Sequence, residues 1–308
     1  MKNNLVRNTI LLVLSFLINT NSFAQERSDI HSDEIVNKIL RMKQEIIKDS
    51  GKKPDSFIFL SFWDFDGTII KGDCSEGFTD NGKVEYNGLA KVAIDKGYSN
   101  IYSSKDGSDK FYNEYHHMAE EIGDWLALPF LAQIFEGTNV DEISKTSEEY
   151  LNNTQSKYFF KSSIDIMESL EGNEVECHVI SASPEFFVVG ASSSLGLPKD
   201  RFNGIQVKIV DGKLTNELIY PITRSYGKVD RLKQIVKKIE SENPGKEIVI
   251  LAGFGNSYNT DGPFLKYISQ QNIITKKPLS VMINGGKSPK EYDGLFMKVN
   301  QSSTIGNK

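Results

Sequence analysis

The sequence predicts an α/β protein: a doubly wound, mostly parallel, Rossmann-like sheet with a mainly helical cap inserted after the first strand. Three observations predict it. Residues 56–63, 174–180, 247–252 and 279–284 are short, largely apolar runs, the composition of strands covered on both faces. Amphipathic helical patterns at 33–49, 161–171 and 227–241 separate them, and strands alternating with helices imply a parallel sheet. Residues 72–160 break the alternation. They carry aromatics in helical patterns (Phe111, Tyr112, Tyr115, Trp125, Phe130 and Phe135) and lack long β-branched runs, so they form an insert.

The elements follow in order. Ile35, Val36, Ile39, Leu40, Met42, Ile46 and Ile47 recur at helical spacing through 33–49. Gly51 and Pro54 end that helix. The strand 56–63 runs directly into Asp64-Phe65-Asp66-Gly67-Thr68. Within the insert, Asn81-Gly82 and Asp106-Gly107 mark turns. Helix 161–171 leads into strand 174–180. Ser183-Pro184 then reads as a helix start, with Ser183 as N-cap and Pro184 at the first helical position, and that helix ends near Gly196. Residues 203–219 form a β-hairpin about Asp211-Gly212. Val229, Leu232, Ile235, Val236 and Ile239 set the helix at 227–241. Strands 247–252 and 279–284 complete the sheet, the last ahead of Gly285-Gly286.

The 308 residues, 39% hydrophobic and 25% charged, suffice for one large domain or a core with an insert. A net charge of -5 with no basic block argues against a nucleic-acid partner. Residues 1–24 read as a signal peptide. Lys2 and Arg7 precede the apolar run Ile10–Ile18, which is shorter than the about 20 residues a membrane span needs. Ser22 and Ala24 are the small residues a signal peptidase recognises. Cleavage after Ala24 would leave an exported chain beginning at Gln25, periplasmic or extracellular, without a membrane anchor; an uncleaved N-terminal anchor is the alternative. Export would expose Cys74 and Cys177 to an oxidising compartment. Cys177 lies four residues before Ser181 on its strand, a span of roughly 13 Å, whereas a disulfide needs Cα atoms within about 7 Å. Two free buried thiols are therefore expected.

Four sites carry chemistry. Asp64 and Asp66 sit where a buried strand yields to a glycine turn, the end of an open α/β sheet at which ligands bind. One such aspartate can serve as nucleophile and metal ligand and the second as acid and base; a hairpin with exposed acids is the plainer reading of this motif by itself. Ser181-Ala182-Ser183 follows the second strand, and a hydroxyl with backbone N–H groups there suits an anionic oxygen. Lys228 opens a helix instead of closing one. A cation at that end opposes the helix dipole, so a nearby anion is implied. Gly253-Phe254-Gly255-Asn256, with Asp261 five residues on, offers oxygen ligands on a flexible loop and suits Mg²⁺.

In this order and placement the four sites resemble the motifs of the haloacid-dehalogenase-like (HAD) phosphatases. The insert lies between the first and second of them, and resembles the helical cap of the phosphoserine-phosphatase-like branch; among exported members the layout is similar to phosphorylcholine phosphatases. The fourth motif departs from the family, with Asn256 where its members carry an acid, so one negative charge is missing. The resemblance implies a division into residues 1–24 (signal peptide), 25–71 with 161–308 (core) and 72–160 (cap). It implies an exported, Mg²⁺-dependent phosphatase of a small phosphorylated metabolite. Asp64 would be nucleophile and Asp66 general acid/base. Lys228, Thr68, Ser181 and Ala182 would hold the phosphoryl group. Asp64, Asp66, Asn256 and Asp261 would serve the metal. Glu76, just past the first motif, could meet a cationic group on the substrate, and Tyr112, Tyr115 and Trp125 are either cap core or an aromatic cage for such a group. His116 and His117 are adjacent on a helix and point apart, which argues against a shared metal. Two other readings stay open: a binding protein that keeps the fold without turnover, because of Asn256, and a dehalogenase, which needs neither an acid at Asp66 nor a metal.

Overall fold

The computed structural model describes residues 32–272 and 276–306. The signal segment 1–24 and its cleavage site lie outside the described residues. Among the described residues no helix is long and apolar enough to cross a membrane.

Helix α1 (Ser32–Ser50) buries Ile35, Ile39 and Ile46 on one stripe. Strand β1 (Phe57–Trp63) is buried along almost its whole length, as a strand covered on both faces must be. After the acidic turn come β2 (Gly77–Asp80), β3 (Lys83–Asn87), α2 (Leu89–Asp95), α3 (Gly107–Glu121), α4 (Asp124–Gln133) and α5 (Val140–Tyr150). The alternating pattern resumes with α6 (Lys161–Glu171), β4 (Val175–Pro184), α7 (Glu185–Val188), α8 (Ser192–Leu195), β5 (Phe202–Val210) and β6 (Lys213–Ile219). It ends with α9 (Tyr226–Glu242), β7 (Glu247–Gly255), α10 (Gly262–Ser269), β8 (Leu279–Ile283) and β9 (Met297–Val299).

The seven-stranded sheet runs β6-β5-β4-β1-β7-β8-β9, and only the β5–β6 pair is antiparallel. The α/β class read from the sequence is therefore the observed one. Strand β1 is central, with β4 and β7 on either side, so the chain order reverses across it and a crevice opens at the carboxyl ends of these three strands. Trp63 and Phe254, paired in register, stack at 3.7 Å with 10° between ring planes. The Asp64 N–H continues the ladder to the Phe254 carbonyl at 2.9 Å, which fixes where the acidic turn leaves the sheet.

Three local features differ from the sequence reading. The insert opens with the β2–β3 hairpin, turned by Asn81 and Gly82 at φ 50° and 78°; its strands are short and half polar, so no apolar run announced them. Strand β4 continues through Ser181-Ala182-Ser183 to Pro184, and Pro184, not Ser183, caps α7. The helix expected from there to Gly196 is broken into α7, a 3₁₀ turn at Val189–Ala191, and α8. At that break α5 crosses closely: a Cβ on Gly190 would lie 2.8 Å from the Glu148 nitrogen. The short elements α10 and β9 carried too little pattern to be anticipated. Cys74 and Cys177 are free and buried, the Cys177 thiol against the Ser61 hydroxyl at 3.3 Å.

Candidate active site

The centre is a buried charge cluster. Lys228 Nζ donates to Asp64 Oδ1 and to Asp261 Oδ1, both at 2.6 Å, and all three side chains are almost wholly withdrawn from water. Burial would lower the Lys228 pKa, but the charges of Asp261 and Asp64 together outweigh it and raise it. Lys228 therefore stays a cation. Burial also pushes the Asp64 carboxyl up to about 7, with Asp261 and Asp66 adding to the rise and Lys228 opposing it. The cluster answers the question posed by a lysine at a helix start: it is held there by two anions.

Local sequence sets each position. Asp64 is the first residue past β1. Its Oδ2 accepts the Thr68 hydroxyl at 2.8 Å, so Thr68 stands behind the carboxylate and not in the cleft. Gly67 has φ +72°, and a Cβ there would lie 1.9 Å from Asn256 Nδ2, so the turn requires glycine twice over. Lys228 sits in the first turn of α9. Gly227 before it could not carry a side chain, because a Cβ would fall 1.7 Å from the Ile222 carbonyl oxygen. Asp261 uses its second oxygen to accept the N–H groups of Asn256 and Ser257, each at 3.0 Å, which shapes the loop after β7.

Asp66 is held on every side. Its Oδ1 accepts the Cys74 N–H at 2.7 Å, and its Oδ2 accepts the hydroxyls of Ser183 at 2.8 Å and Ser181 at 3.1 Å. Ser181 thus faces Asp66, while Ala182 and Ser183 line the cleft. Ser183 was missed as a functional residue because Ser-Pro reads locally as a helix cap; its partner lies 117 positions away.

A cleft of about 300 Å³ opens over these residues and is lined by Asp64, Asp66, Asn256 and, toward the insert, Glu76, Tyr115 and Asp124. Glu76 accepts the Tyr115 hydroxyl at 2.9 Å and meets His116 Nε2 at 3.2 Å. Asp124 pairs with Arg224 at 3.0 Å. Asp73, absent from the sequence reading, also lines the cleft; it accepts the N–H groups of Ser75 and Glu76. Burial and the nearby Asp66 and Glu76 raise its carboxyl well above the usual range. Trp125 does not join Tyr112 and Tyr115 in a cage: it is 63% exposed, and its indole donates to the Ile122 carbonyl. Tyr115 is buried in the insert's core. His116 and His117 do not converge, and only His116 reaches the cleft.

The donor set fits a hard cation. Asp64, Asp66 and Asn256 bring oxygens to one cleft, the ligand type Mg²⁺ takes. Among the described residues the Asn256 carboxamide has no hydrogen-bond partner, and its backbone N–H alone is engaged.

A doubly wound sheet thus brings paired aspartates after β1, a lysine in the first turn of α9 and a polar loop after β7 to one place. The chain belongs to the haloacid dehalogenase-like hydrolase family, whose sequence profile matches residues 61–266, more than half of it. No curated protein matches it by sequence. Among solved structures it is similar to a conserved, functionally unknown protein from Anaerococcus prevotii (13% identity, TM-score 0.57, covering 92% of this chain and 97% of that one). It is similar to a protein with unknown function from Bordetella pertussis (13%, TM-score 0.56, 79% and 98%). It is also similar to cytosolic 5'-nucleotidase IIIB bound to cytidine (14%, TM-score 0.54, 88% and 87%). At such identities the likeness is one of fold.

The charge cluster makes a direct prediction. Lys228→Met leaves Asp64 and Asp261 as buried carboxylates without their cation. A loss of about 3–5 kcal/mol is expected, as when one partner of a buried ion pair is removed. Urea unfolding near neutral pH in the presence of chelator measures it, and an unchanged midpoint would show that the cluster carries no stability.

Proposed function

We propose that this chain is an exported, Mg²⁺-dependent phosphatase of a small phosphomonoester, with residues 72–160 as the cap over a core formed by 25–71 and 161–308. The observation that carries it is the joint placement of Asp64, against Lys228, and Asp66, against Ser181 and Ser183, on one cleft. Asp64 Oδ1 is held by Lys228 and Oδ2 by Thr68, so the carboxylate is oriented before a substrate arrives. It attacks phosphorus in line and forms an aspartyl-phosphate as the ester oxygen leaves. Asp66 gives that oxygen its proton and later takes one from the water that cleaves the intermediate. The Ser181 and Ser183 hydroxyls rotate between donor and acceptor, so they serve Asp66 in both protonation states. Ala182 and Ser183 line the cleft and on this reading would meet the phosphoryl oxygens. Thr68 and Ser181 act through the carboxylates they orient.

The cation would be held by the Asp64 carboxylate, the Asp66 backbone carbonyl and Asn256, with Asp261 fixing the loop behind it. When bound, Mg²⁺ supplies charge neutralisation for the phosphoryl group in a loose transition state. The reason is electrostatic: the cleft is lined by several acids, Asp66 and Glu76 among them, and by no lysine or arginine, so a bound cation would offset the charge of an incoming phosphoryl group. The same acidity on the insert side, centred on Glu76, favours a leaving group that carries a cation.

Hydrolysis of a panel of phosphomonoesters, with Mg²⁺ and with chelator, tests the reading. Phosphate release that needs the metal and disappears in Asp64→Asn is expected. An Asp64→Asn protein with wild-type turnover eliminates the mechanism. No release with any substrate or divalent metal would favour a binding protein marked by Asn256. Glu76→Gln should raise KM for ammonium-bearing esters such as phosphocholine and phosphoethanolamine, and leave an aryl phosphate unaffected; equal effects on both would remove Glu76 from selectivity.

Metal binding should also depend on pH. The Asp64 carboxyl, pushed up to about 7 by burial, must lose its proton to ligate. Affinity for Mg²⁺ should therefore be level above that pH and fall about tenfold per unit below it. Calorimetric titration at about pH 5.5 and about pH 8 reads the change, and equal affinities would contradict it.

A further inference from the structure

The segment after β9 lies behind the acidic turn, on the side away from the cleft. Gln301 is 5% exposed, and both ends of its carboxamide are hydrogen-bonded. Its Nε2 donates to the Thr68 carbonyl at 2.8 Å. Its Oε1 accepts the Ser162 hydroxyl at 2.6 Å and lies 3.1 Å from the Ser163 hydroxyl oxygen. Its backbone exchanges two hydrogen bonds with the Asn284 side chain, at 2.9 and 2.8 Å. Ser163 donates to the same Thr68 carbonyl at 2.7 Å, so both lone pairs of that oxygen are used. The carboxamide orientation is fixed by chemistry: Thr68 offers an acceptor there, and only the NH₂ end can meet it.

The neighbouring backbone extends the clamp. Lys161 N–H donates to Ser303 O, Ile305 N–H to Phe159 O and Gly306 N–H to Lys157 O, all between 2.8 and 2.9 Å. Phe160 N–H reaches Ile69 O at 2.8 Å, and Lys71 N–H reaches Tyr158 O at 2.9 Å. The acidic turn, the return of the insert to the core at 157–161, and residues 301–306 are therefore zipped side by side.

We propose that Gln301 is a positioning residue for Asp64. This rests on the reading of Asp64 as the nucleophile. Gln301 and Ser163 fix the Thr68 peptide, and the Thr68 hydroxyl fixes Asp64 Oδ2. Lys228 holds the other oxygen. The carboxylate plane is thus set from two sides, by a charge in front and by a buried amide network behind. A gap in that network leaves the Thr68 carbonyl one donor short in an apolar interior, which the turn relieves by shifting.

Gln301→Leu keeps the volume and removes the donor. The measurements are hydrogen–deuterium exchange of the peptide spanning 64–73, thermal unfolding, and kcat and KM for an aryl phosphate. Faster exchange confined to 64–73 and 157–163 is expected, with kcat down roughly tenfold to a hundredfold and KM nearly unchanged, since small misplacements of a reacting group act on the chemical step. Exchange and kcat both at wild-type levels would overturn the proposal, and so would acceleration spread evenly over the sheet. If Gln301→Leu does not fold, Gln301→Glu decides. Its neutral acid can donate to Thr68 at low pH and its carboxylate cannot, so kcat relative to wild type should fall as pH rises; a level ratio overturns the proposal. A wild-type protein without turnover would fail the phosphatase reading alone, and the exchange pattern in 64–73 would still decide the role of Gln301.

Discussion

The structure is organised around one buried cation. Lys228 has no access to water and touches two carboxyl groups at 2.6 Å, so the cluster Asp64–Lys228–Asp261 gathers two acids about one ammonium inside the protein. Desolvating such a cluster is costly, and only close, well-directed contacts offset it. That requirement ties together β1, the first turn of α9 and the loop after β7, which are distant in sequence. It also explains their backbones. Gly227 is bare because the chain must pass the Ile222 carbonyl to bring Lys228 inward. The loop at Asn256 and Ser257 curls because its N–H groups converge on the free oxygen of Asp261.

Around this centre the cleft is short of positive charge. Lys228 is spent on its two partners and Arg224 on Asp124. On the proposed reading a substrate anion would be met by a counter-cation, for which Asp64, Asp66 and Asn256 offer oxygen donors. Asn256 tempers that demand. A carboxylate in its place would add a like charge beside Asp64 and Asp66, and the amide adds none.

What could be read in the sequence follows the range of the forces involved. Strands β1, β7 and β8, helices α1, α6 and α9, and the hairpin at Asp211-Gly212 declare themselves through local periodicity and turn chemistry, and they appear where that pattern placed them. Asp64, Asp66 and Lys228 stand out in the sequence because each is costly where it stands, acids at a buried strand end and a lysine against a helix dipole, whereas Asp261 stands out through its place on the glycine-rich loop and the resemblance of that loop to the family's fourth motif. Ser183 reads locally as a helix start because Ser-Pro is a good one, while the hydrogen bond its hydroxyl donates goes to Asp66, distant in sequence. The β2–β3 hairpin and β9 lie below the length at which periodicity speaks. The direction of the Thr68 hydroxyl, toward Asp64, is likewise set by a tertiary contact that the sequence does not display.

The same distinction separates reaction from substrate. The reacting groups sit on strand ends and helix starts of the core, where a few adjacent residues fix their geometry. On the proposed reading selectivity rests with Glu76, Tyr115, His116 and Asp124, which the insert brings to the cleft from separate elements. Their geometry depends on how the insert is seated. That seat is the pair of crossings at 69–71 and 157–161, which hydrogen-bond to each other and to residues 303–306. Because the first crossing is also the turn that carries Asp64, insert and nucleophile share one foundation. On the proposed reading, a change in how the insert sits would therefore reach the Asp64 carboxylate through the hydrogen bonds of Ile69 and Thr68.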